Sequence, residues 1–463
     1  MSLPAHAEIV VVGGGHAALC AAITAAETGC RVLILERAPK IMRGGNTRHT
    51  RNLRTMHAGP VAGLVESYSE DEYWQDLLRV TDGNTQEELA RLTIHDSESL
   101  LHWLLDHNVA FQPSLSGTLS LGRTNAFFLG GGGALLNALY LCAEKLGVTT
   151  VYNCDVRDLQ VADAHCSAIS GRHEDIEFSI SADAVVVASG GFQANVAWMR
   201  QVWGAAADNF LIRGTPYNEG HVLQALMSKG IATIGDARQC HAVAIDARGP
   251  KFDGGIVTRL DCVPFSIVVN DTGVRFYDEG EDFWPKRYAI WGRLIAAQDN
   301  QIAYSIIDSK VTSNFMPSVY PPIEATSLRA LADELGLPAD QLNATVDEFN
   351  AAVVTAAYDP QTLDDCSTRG LTINKSHWAL PIDEPPFYAY PLRPGITFTY
   401  LGLQVNETAQ VKMANGPFID NLYAAGEIMA GNILGQGYCA GTGMTIGGVF
   451  GRIAGAQAAC HSK

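Results

Sequence analysis

Glycines and one acidic residue near the start of the chain have the spacing of a dinucleotide site. An apolar segment, 8–12, runs into Gly13 and Gly15, and Ala18 follows on the first turn of a helical pattern. Gly13 permits a tight turn, Gly15 lets the backbone approach a pyrophosphate, and Ala18 keeps the helix close to the strand. A second apolar segment ends on Glu36, at the spacing where a carboxylate accepts hydrogen bonds from a ribose. The sequence therefore predicts a βαβ unit that binds a dinucleotide, with its phosphates at a helix N-terminus.

Arginines form a second group of chemically capable residues. Four of them lie within twelve positions just after the βαβ unit: Arg43, Arg48, Arg51 and Arg54. A guanidinium pairs with a carboxylate through two parallel hydrogen bonds, and in a chain of net charge −17 an anionic substrate needs such a local cluster. Contact with substrate or cofactor is one interpretation, and a solvated basic loop paired with nearby acids is the other. Arg123, in a polar loop, is a further candidate substrate ligand.

The elements that must position these residues come from both ends of the chain. A buried strand over 184–187 ends on Gly190, and a later strand over 421–424 ends on Gly426 and Glu427. A glycine-rich segment then opens a final helix that reaches about Cys460. The middle of the chain differs, with mixed strands, aromatic clusters and a helical region over 327–357.

We therefore predict an α/β protein with a Rossmann-like domain formed by both chain ends, residues 1–213 and 376–463. An α+β capping domain, residues 214–375, is inserted between them. Five prolines after residue 380 predict an irregular crossing between the domains rather than a strand: Pro381, Pro385, Pro386, Pro391 and Pro394.

Composition excludes several classes of function. The net charge of −17 disfavours binding to nucleic acid or to an anionic membrane surface. None of the ten cysteines forms a C-x-x-C pair, which disfavours an iron–sulfur cluster, a zinc site or any other bound metal. The sequence lacks a signal peptide and an uncharged apolar stretch of membrane-spanning length, so we expect a cytoplasmic protein.

A nicotinamide enzyme shares the first glycine motif, but the later motifs are more specific. Together with it, the segments 44–47, 188–191 and 424–427 resemble the flavoproteins of the fumarate reductase and succinate dehydrogenase superfamily. Within that superfamily, five further segments resemble the FAD-dependent tricarballylate dehydrogenases: 48–54, 73–77, 116–119, 123–128 and 437–447. The resemblance covers essentially the whole chain.

The resemblance implies FAD as the cofactor and assigns residues to it. Glu36 would hold the adenosine ribose, Asn46 and Thr47 would lie near the flavin ring, and Glu427 would reach the ribityl or ribose region. The amides of Gly443 and Met444, at a helix start, would face the N1–C2=O edge of the flavin. The remaining implied cofactor residues are Gly13, Gly15, Ala18, Arg37, Gly45, Val156, Gly190 and Gly426. His49 lies a few residues beyond the family's tethering histidine, so the resemblance implies noncovalent FAD.

The activity that the resemblance implies is oxidation of tricarballylate to cis-aconitate, with removal of an α-proton and transfer of a β-hydride to the flavin N5. Electrons would then pass to a separate iron–sulfur membrane protein or a quinone, which makes peripheral attachment to the inner membrane a second possibility for localisation. Arg287 matches the arginine that moves the proton in fumarate reductases. Its other interpretation is a structural ion pair with Asp278 or Glu279. Arg123 and His241 are further candidate site residues.

Departures from the reductase pattern disfavour fumarate as substrate. Phe398 and Tyr400 stand in the strand that carries a substrate histidine in that family, and Tyr438 stands near the position of a substrate arginine. Arg259 and Asp261 occupy the neighbourhood of a proton-relay glutamate. Tyr400 and Tyr438 are therefore either donors to a substrate oxygen or packed aromatic residues.

Three functions remain open at this point. The first is dehydrogenation of a small polycarboxylate, with a fumarate reductase-like activity as a variant. The second is a 3-ketosteroid Δ1-dehydrogenase-like reaction on a neutral ketone, which the Tyr438 segment also resembles. The third is an FAD-binding protein without turnover, acting as a subunit or sensor.

Overall fold

The structure is a computed structural model that describes residues 3–114 and 121–463. The predicted similarity over 116–119 therefore lies outside the described residues. The α-helices are α1 (His16–Glu27), α2 (Glu70–Thr81), α3 (Glu87–Asp106), α4 (Gly131–Lys145), α5 (Val196–Trp203), α6 (His221–Ser228), α7 (Trp284–Arg287), α8 (Trp291–Ala296), α9 (Leu328–Leu335), α10 (Ala339–Ala352) and α11 (Thr442–His461).

The strands form one large sheet, a second sheet and smaller pairs. They are β1 (His6–Val12), β2 (Val32–Leu35), β3 (Asn52–Arg54), β4 (Phe111–Gln112), β5 (Asn125–Phe128), β6 (Thr149–Val151), β7 (Cys154–Ala162), β8 (His165–His173), β9 (Ile176–Val187), β10 (Leu211–Ile212), β11 (Thr233–Ile234), β12 (Cys240–Asp246), β13 (Ile267–Asn270), β14 (Ala303–Asp308), β15 (Ile323–Ala325), β16 (Val353–Val354), β17 (Ser367–Thr368), β18 (Phe387–Thr399), β19 (Gly402–Leu403), β20 (Gln410–Lys412) and β21 (Phe418–Ala424).

The large sheet unites the two ends of the chain. Its order is β20-β21-β9-β1-β2-β6, and the pairs among β21, β9, β1, β2 and β6 are parallel. The central strands are buried along most of their length, as expected for a parallel sheet covered on both faces. This confirms the predicted α/β class with a parallel sheet.

The second sheet is built around β18. β12, β14 and β15 pair with β18 in antiparallel register, β10 pairs with it in parallel register, and β13 extends the sheet beyond β14. The predicted irregular crossing is therefore wrong where the strand includes Pro391 and Pro394. Pro391 lies opposite Tyr304 and Pro394 opposite Ala244, and the Pro391 carbonyl still accepts a hydrogen bond from the Ala247 N–H at 2.8 Å. A proline removes only a donor, so a strand that changes partners along its length accommodates it.

Small residues let α11 lie directly on α1. A methyl group on Gly451 would overlap the Ala17 carbonyl and Cys20, and one on Gly455 would overlap the backbone of Ala21. This close approach brings the first turns of the two helices together at one end of the large sheet.

Within residues 3–114 and 121–463, no helix has the length and apolar character needed to cross a membrane. The domain boundaries at 213/214 and 375/376 stay a prediction. The second sheet includes strands outside the predicted capping domain, residues 214–375, because β10 precedes that domain and β18 follows it.

Candidate cofactor and substrate site

One long cavity follows the carboxyl ends of the parallel strands. Its walls come from the segments after β1, β2, β9 and β21, and residues 44–47 close one side. The edge at the carboxyl ends of parallel strands is where open α/β sheets bind nucleotides. The cavity therefore lies where the sequence predicts the dinucleotide.

Backbone geometry at the start of α1 fits a pyrophosphate. Gly15 is the N-cap residue of the helix, and Gly13 has a φ of +110°. A methyl group on Gly13 would overlap the Ala188 carbonyl, and one on Gly14 would overlap the Glu36 carboxylate. The glycines thus allow close packing here, and the free N–H groups of the first turn provide donors for phosphate oxygens.

Glu36 is a buried carboxylate at the end of β2. The Ala38 N–H donates to its Oε1 at 2.8 Å, and burial raises its pKa to about 7 against the lowering effect of this and other backbone donors. Arg37, the next residue, donates to the Tyr217 carbonyl at 2.9 Å and pairs with Glu219. Glu36 therefore faces the cavity, whereas Arg37 links β2 to the segment before α6.

Glu427, after β21, is the second buried carboxylate of the cavity. The Thr399 N–H donates to its Oε1 at 2.9 Å, and the Asn218 side chain donates to its Oε2 at 3.3 Å. Burial raises the pKa of Glu427 to about 7 as well. Asn46 donates to the Thr397 carbonyl at 2.5 Å and lies 3.5 Å from Glu427, which ties residues 44–47 to the second sheet.

FAD binding is expected to weaken as the pH falls below about 7. A carboxylate accepts hydrogen bonds from sugar hydroxyls best when ionised, and the pKa of both Glu36 and Glu427 is about 7 in the cofactor-free protein. Below that pH, binding must displace protons, so the dissociation constant should rise by up to about tenfold per pH unit for each group. Fluorescence titration of apoprotein with FAD between pH 5.5 and 8.5 measures this. Glu36→Gln should reduce the slope by one proton, and an unchanged slope would contradict the assignment.

The start of α11 faces the other end of the cavity. Gly441 is its N-cap with a φ of +85°, and the Gly443 N–H donates to the Tyr438 hydroxyl at 2.9 Å. Gly443 and Met444 both line the cavity. The glycine turn, the two carboxylates and this helix start together fit FAD.

Polar groups without partners lie beyond the helix start. Arg213, His241 and Thr397 line the cavity, and each has a buried side-chain atom with no hydrogen-bond partner among the described residues. For Arg213 these atoms are Nε and Nη1, and for His241 the atom is Nε2. The His241 ring stacks on Tyr438 with a centroid distance of 4.0 Å. Burying a polar atom without a hydrogen-bond partner costs free energy, and a polar ligand bound at this end of the cavity would supply the missing partners.

The charge of this region is strongly positive. Burial lowers the pKa of Arg51 to about 9 and the pKa of Arg213 to about 10, and the positive charge of the neighbouring Arg259 contributes to both shifts. Asp261 is the carboxylate that pairs with Arg259, with an N–O distance of 2.6 Å. Arg51 and Arg213 thus lie near the Arg259–Asp261 ion pair, and of the three arginines Arg213 is the one that lines the cavity. Burial and the positive charges of Arg213 and Arg259 also lower the pKa of His241 well below its usual range, which keeps its imidazole neutral.

Arg287 and Arg123 lie outside the lining of this cavity. Arg287 pairs with Glu281 at 2.5 Å and donates to the Tyr277 hydroxyl at 3.0 Å. It lines a separate pocket together with Tyr277 and Gly437. Arg123 donates to the Ser67 carbonyl at 2.8 Å and pairs with Glu72. Both guanidinium groups therefore already have carboxylate partners.

The other predicted residues are divided between the cavity and the core. Tyr438 lines the cavity, whereas Tyr400 is fully buried and donates its hydroxyl proton to the Gly437 carbonyl. Arg54 is buried against Asp76 at 2.6 Å. The predicted cofactor residues that line the cavity are Gly13, Gly15, Glu36, Arg37, Gly45, Asn46, Thr47, Val156, Gly190, Gly426, Glu427, Gly443 and Met444. Ala18 is fully buried behind them in α1.

The sequence analysis does not identify Arg213 as a site residue. It mentions Arg259 only because it lies near the position of a proton-relay glutamate in fumarate reductases. The available signal for Arg213 was an arginine directly after a short apolar segment in a chain with few basic residues. His49, the alternative covalent anchor, lines the cavity, and its ring hydrogen-bonds to Asp253.

Comparison with known proteins defines the class. The FAD binding domain family matches residues 8–446, so the chain belongs to that family and its cofactor is FAD. The chain is 26% identical over 473 residues to an NADH:fumarate oxidoreductase of Klebsiella pneumoniae, covering 99% of this chain and 48% of the relative. It is also 26% identical to a urocanate reductase of Eggerthella lenta, covering 99% and 75%. The chain spans about half the length of the first two curated relatives it matches, at 48% and 50%.

Solved structures show the same fold. An open conformation of a flavocytochrome c3 fumarate reductase superposes with a TM-score of 0.76 at 22% identity, covering 99% of this chain and 79% of the other. A 3-ketosteroid Δ4-(5α)-dehydrogenase of Rhodococcus jostii superposes with a TM-score of 0.74 at 23% identity, covering 99% and 98%. The protein is therefore a flavoprotein with the fold of the fumarate reductase family.

Proposed function

We propose that this protein is an FAD-dependent dehydrogenase that oxidises a CH–CH bond beside a carboxylate in a small polycarboxylate. Tricarballylate, giving cis-aconitate, is the leading substrate. The observation that carries the proposal is Arg213, a buried guanidinium in the cavity wall whose Nε and Nη1 have no partner among the described residues. A carboxylate satisfies two such donors at once.

The net charge of the region supports a substrate with more than one carboxylate. Arg213 in the cavity wall, with Arg51 and Arg259 near it, carries positive charge that the Arg259–Asp261 ion pair does not neutralise. A bound polycarboxylate offsets this excess, whereas a neutral ligand leaves it uncompensated in a buried site.

FAD, when bound, supplies the hydride acceptor for the reaction. Arg213 holds a carboxylate and stabilises the negative charge that develops on it as the α-proton leaves. His241 is a neutral imidazole in the cavity wall whose Nε2 has no partner among the described residues, and we assign it the α-proton. The substrate's negative charge offsets Arg213 and Arg259, which raises the His241 pKa when it is needed. Phe398, which pairs with His241 across the sheet, and Tyr438 exclude water.

Proton transfer by Arg287, which the resemblance implies, is the alternative to the role we propose for His241. The pairing of Arg287 with Glu281 and its place in a separate pocket favour a structural role. Cytoplasmic location, noncovalent FAD, and electron transfer to a separate iron–sulfur membrane protein or a quinone stay predictions.

Dehydrogenation of a neutral ketone is the second candidate. Tyr438 favours it, because its hydroxyl is held by the Gly443 N–H at the cavity wall and can donate its own proton to a carbonyl oxygen. The aromatic residues Phe398, Tyr288 and Tyr438 surround this position. The unpartnered charge of Arg213 argues against a neutral ligand there.

Anaerobic mixing of the FAD-loaded protein with candidate substrates tests these functions. We expect tricarballylate to bleach the flavin absorbance rapidly, succinate more slowly, and a 3-ketosteroid not at all, because only a polycarboxylate neutralises the arginines. Tricarballylamide, which lacks the negative charges, is the matched control and should not react. Bleaching by the ketosteroid alone would support the second function, and no bleaching by any compound would support a protein without turnover.

A further inference from the structure

The one-turn helix α7 depends on side-chain contacts for its position. It comprises only Trp284–Arg287, and its backbone hydrogen bonds include Lys286 N–H to the Phe283 carbonyl at 2.9 Å and Tyr288 N–H to the Trp284 carbonyl. A single helical turn is unstable by itself, because the cost of ordering its residues exceeds the gain from one or two hydrogen bonds. Packing and ion pairs must therefore hold α7 in place.

Two ion pairs of opposite polarity join this segment to α2. The Lys286 Nζ lies 2.7 Å from Asp76 Oδ1. Just before α7, the buried carboxylate of Asp282 lies 2.6 Å from the Arg79 Nη2. Asp76 also pairs with the buried Arg54 at 2.6 Å, and although burial raises the pKa of Asp76, the positive charges of Arg54 and Lys286 hold it below its usual value. An ionised carboxylate, itself held by a buried arginine, thus holds Lys286.

Other side chains of the same segment reach the polar end of the cavity. The Trp284 indole N–H donates to Asp261 Oδ1 at 2.7 Å, and Asp261 pairs with Arg259. Tyr288, directly after α7, meets the His241 ring edge to face at a centroid distance of 5.3 Å. The segment therefore connects α2 with the residues around the neutral imidazole in the cavity wall.

We propose that Lys286 is a positioning residue: its ion pair with Asp76 fixes α7, and with it Tyr288, against His241. The inference rests on the proposed function, in which His241 takes the α-proton. His241 Nε2 has no partner among the described residues, so the packing of neighbouring rings orients this imidazole. A base displaced by a fraction of an ångström loses rate. Lys286 is outside the cavity lining, so it acts through Tyr288 rather than on the substrate.

The first test is single-turnover reduction of bound FAD by tricarballylate in Lys286→Gln. Glutamine removes the charge, while Asp76 keeps its pair with Arg54, so no buried carboxylate loses its last partner. We expect the limiting rate to fall about tenfold because the base is displaced, and the dissociation constant for tricarballylate to stay within about twofold because Arg213 is unchanged. A parental limiting rate would overturn the proposal.

A matched control and a double variant identify the route of the effect. Lys310→Gln also removes an ion-paired lysine whose side chain is about one quarter exposed, 23% against 25% for Lys286, but Lys310 pairs with Asp308 away from the cavity. It should reduce at the parental rate, and an equal loss there would overturn the proposal. In Tyr288→Leu the rate should already be low, and adding Lys286→Gln should lower it little further. Additive losses would show that Lys286 does not act through Tyr288.

Hydrogen exchange separates this inference from the proposed function. Backbone amides in residues 284–290 of the FAD-loaded protein, without substrate, should exchange about tenfold faster in Lys286→Gln and at the parental rate in Lys310→Gln. Parental exchange in Lys286→Gln would overturn the proposal even if the reduction rate falls. If tricarballylate does not reduce the flavin of the parent protein, the proposed function fails, and the exchange rates still decide whether Lys286 fixes α7.

Discussion

Replacing Arg213 with methionine is expected to lower kcat/KM for tricarballylate by about 10²- to 10³-fold, because the substrate loses its main charged partner in a buried site. Steady-state or single-turnover reduction of the flavin measures this. The same change should raise the free energy of unfolding of the substrate-free protein. Two guanidinium nitrogens of Arg213 are buried without partners, and methionine removes that penalty while filling a similar volume.

The opposite signs of the two effects make the experiment informative. Replacing a residue that only supports the fold lowers the activity and the stability of the protein together. Replacing a ligand-binding residue that is buried without partners lowers only the activity. Arg393→Gln is a matched control. Arg393 is half-buried in β18 and donates to the Asn300 carbonyl at 3.0 Å, away from the cavity. A parental kcat/KM in Arg213→Met would contradict the polycarboxylate proposal.

The cofactor half of the molecule could be predicted from the sequence because its signals are local. Gly13, Gly15 and Glu36 belong to one βαβ unit, and their spacing alone specifies a turn, a helix start and a strand end. The helical region at 327–357 and the final helix are likewise indicated by short windows of sequence. The parallel order of the large sheet follows from strands that alternate with helices.

The sequence names His241 and Tyr438 as candidates for the other end of the cavity, but it does not show which residues meet there, because that depends on strand pairing over long separations. His241 and Phe398 are directly paired between β12 and β18, although 157 positions separate them by residue number. Arg213 directly follows β10, which pairs with β18 at Ile396. β18 contains Phe398 and pairs with the strands next to Arg213 and His241. It is also the strand whose prolines led the sequence analysis to predict an irregular crossing. Because β18 was not predicted as a strand, the sequence analysis could not predict that Arg213 and His241 lie at the same end of the cavity.

The arginines illustrate a second limit of sequence reasoning. Arg51, Arg54 and Arg287 look alike as residues, but their environments assign them different roles. Arg54 is neutralised by Asp76 and Arg287 by Glu281, whereas Arg51 lies among other cations and its pKa is lowered to about 9. Partner geometry, which spacing alone does not reveal, distinguishes these three environments.

Asp261→Asn is expected to lower the free energy of unfolding by about 3–5 kcal/mol, the usual cost of leaving a buried charge without its partner. Asp261 is buried, pairs with Arg259 and accepts from the Trp284 indole N–H at 2.7 Å. The amide keeps the acceptor for Trp284 but removes the charge, so Arg259 joins Arg51 and Arg213 without a counterion. Urea unfolding of the parent and variant at pH 7 measures the difference.

The pH dependence and a double variant distinguish this charge effect from simple loss of packing. Burial raises the pKa of Asp261, but the positive charge of Arg259 outweighs that effect and holds the pKa below its usual value. A carboxylate with a depressed pKa contributes its full stability above the unfolded value of about 3.9, and loses it as the pH falls. The difference between parent and Asp261→Asn should therefore stay constant from pH 8 to 5 and shrink only below about pH 4. Arg259→Met added to Asp261→Asn should recover most of the loss, whereas additive losses in the double variant would show that the two residues do not act as a charge pair.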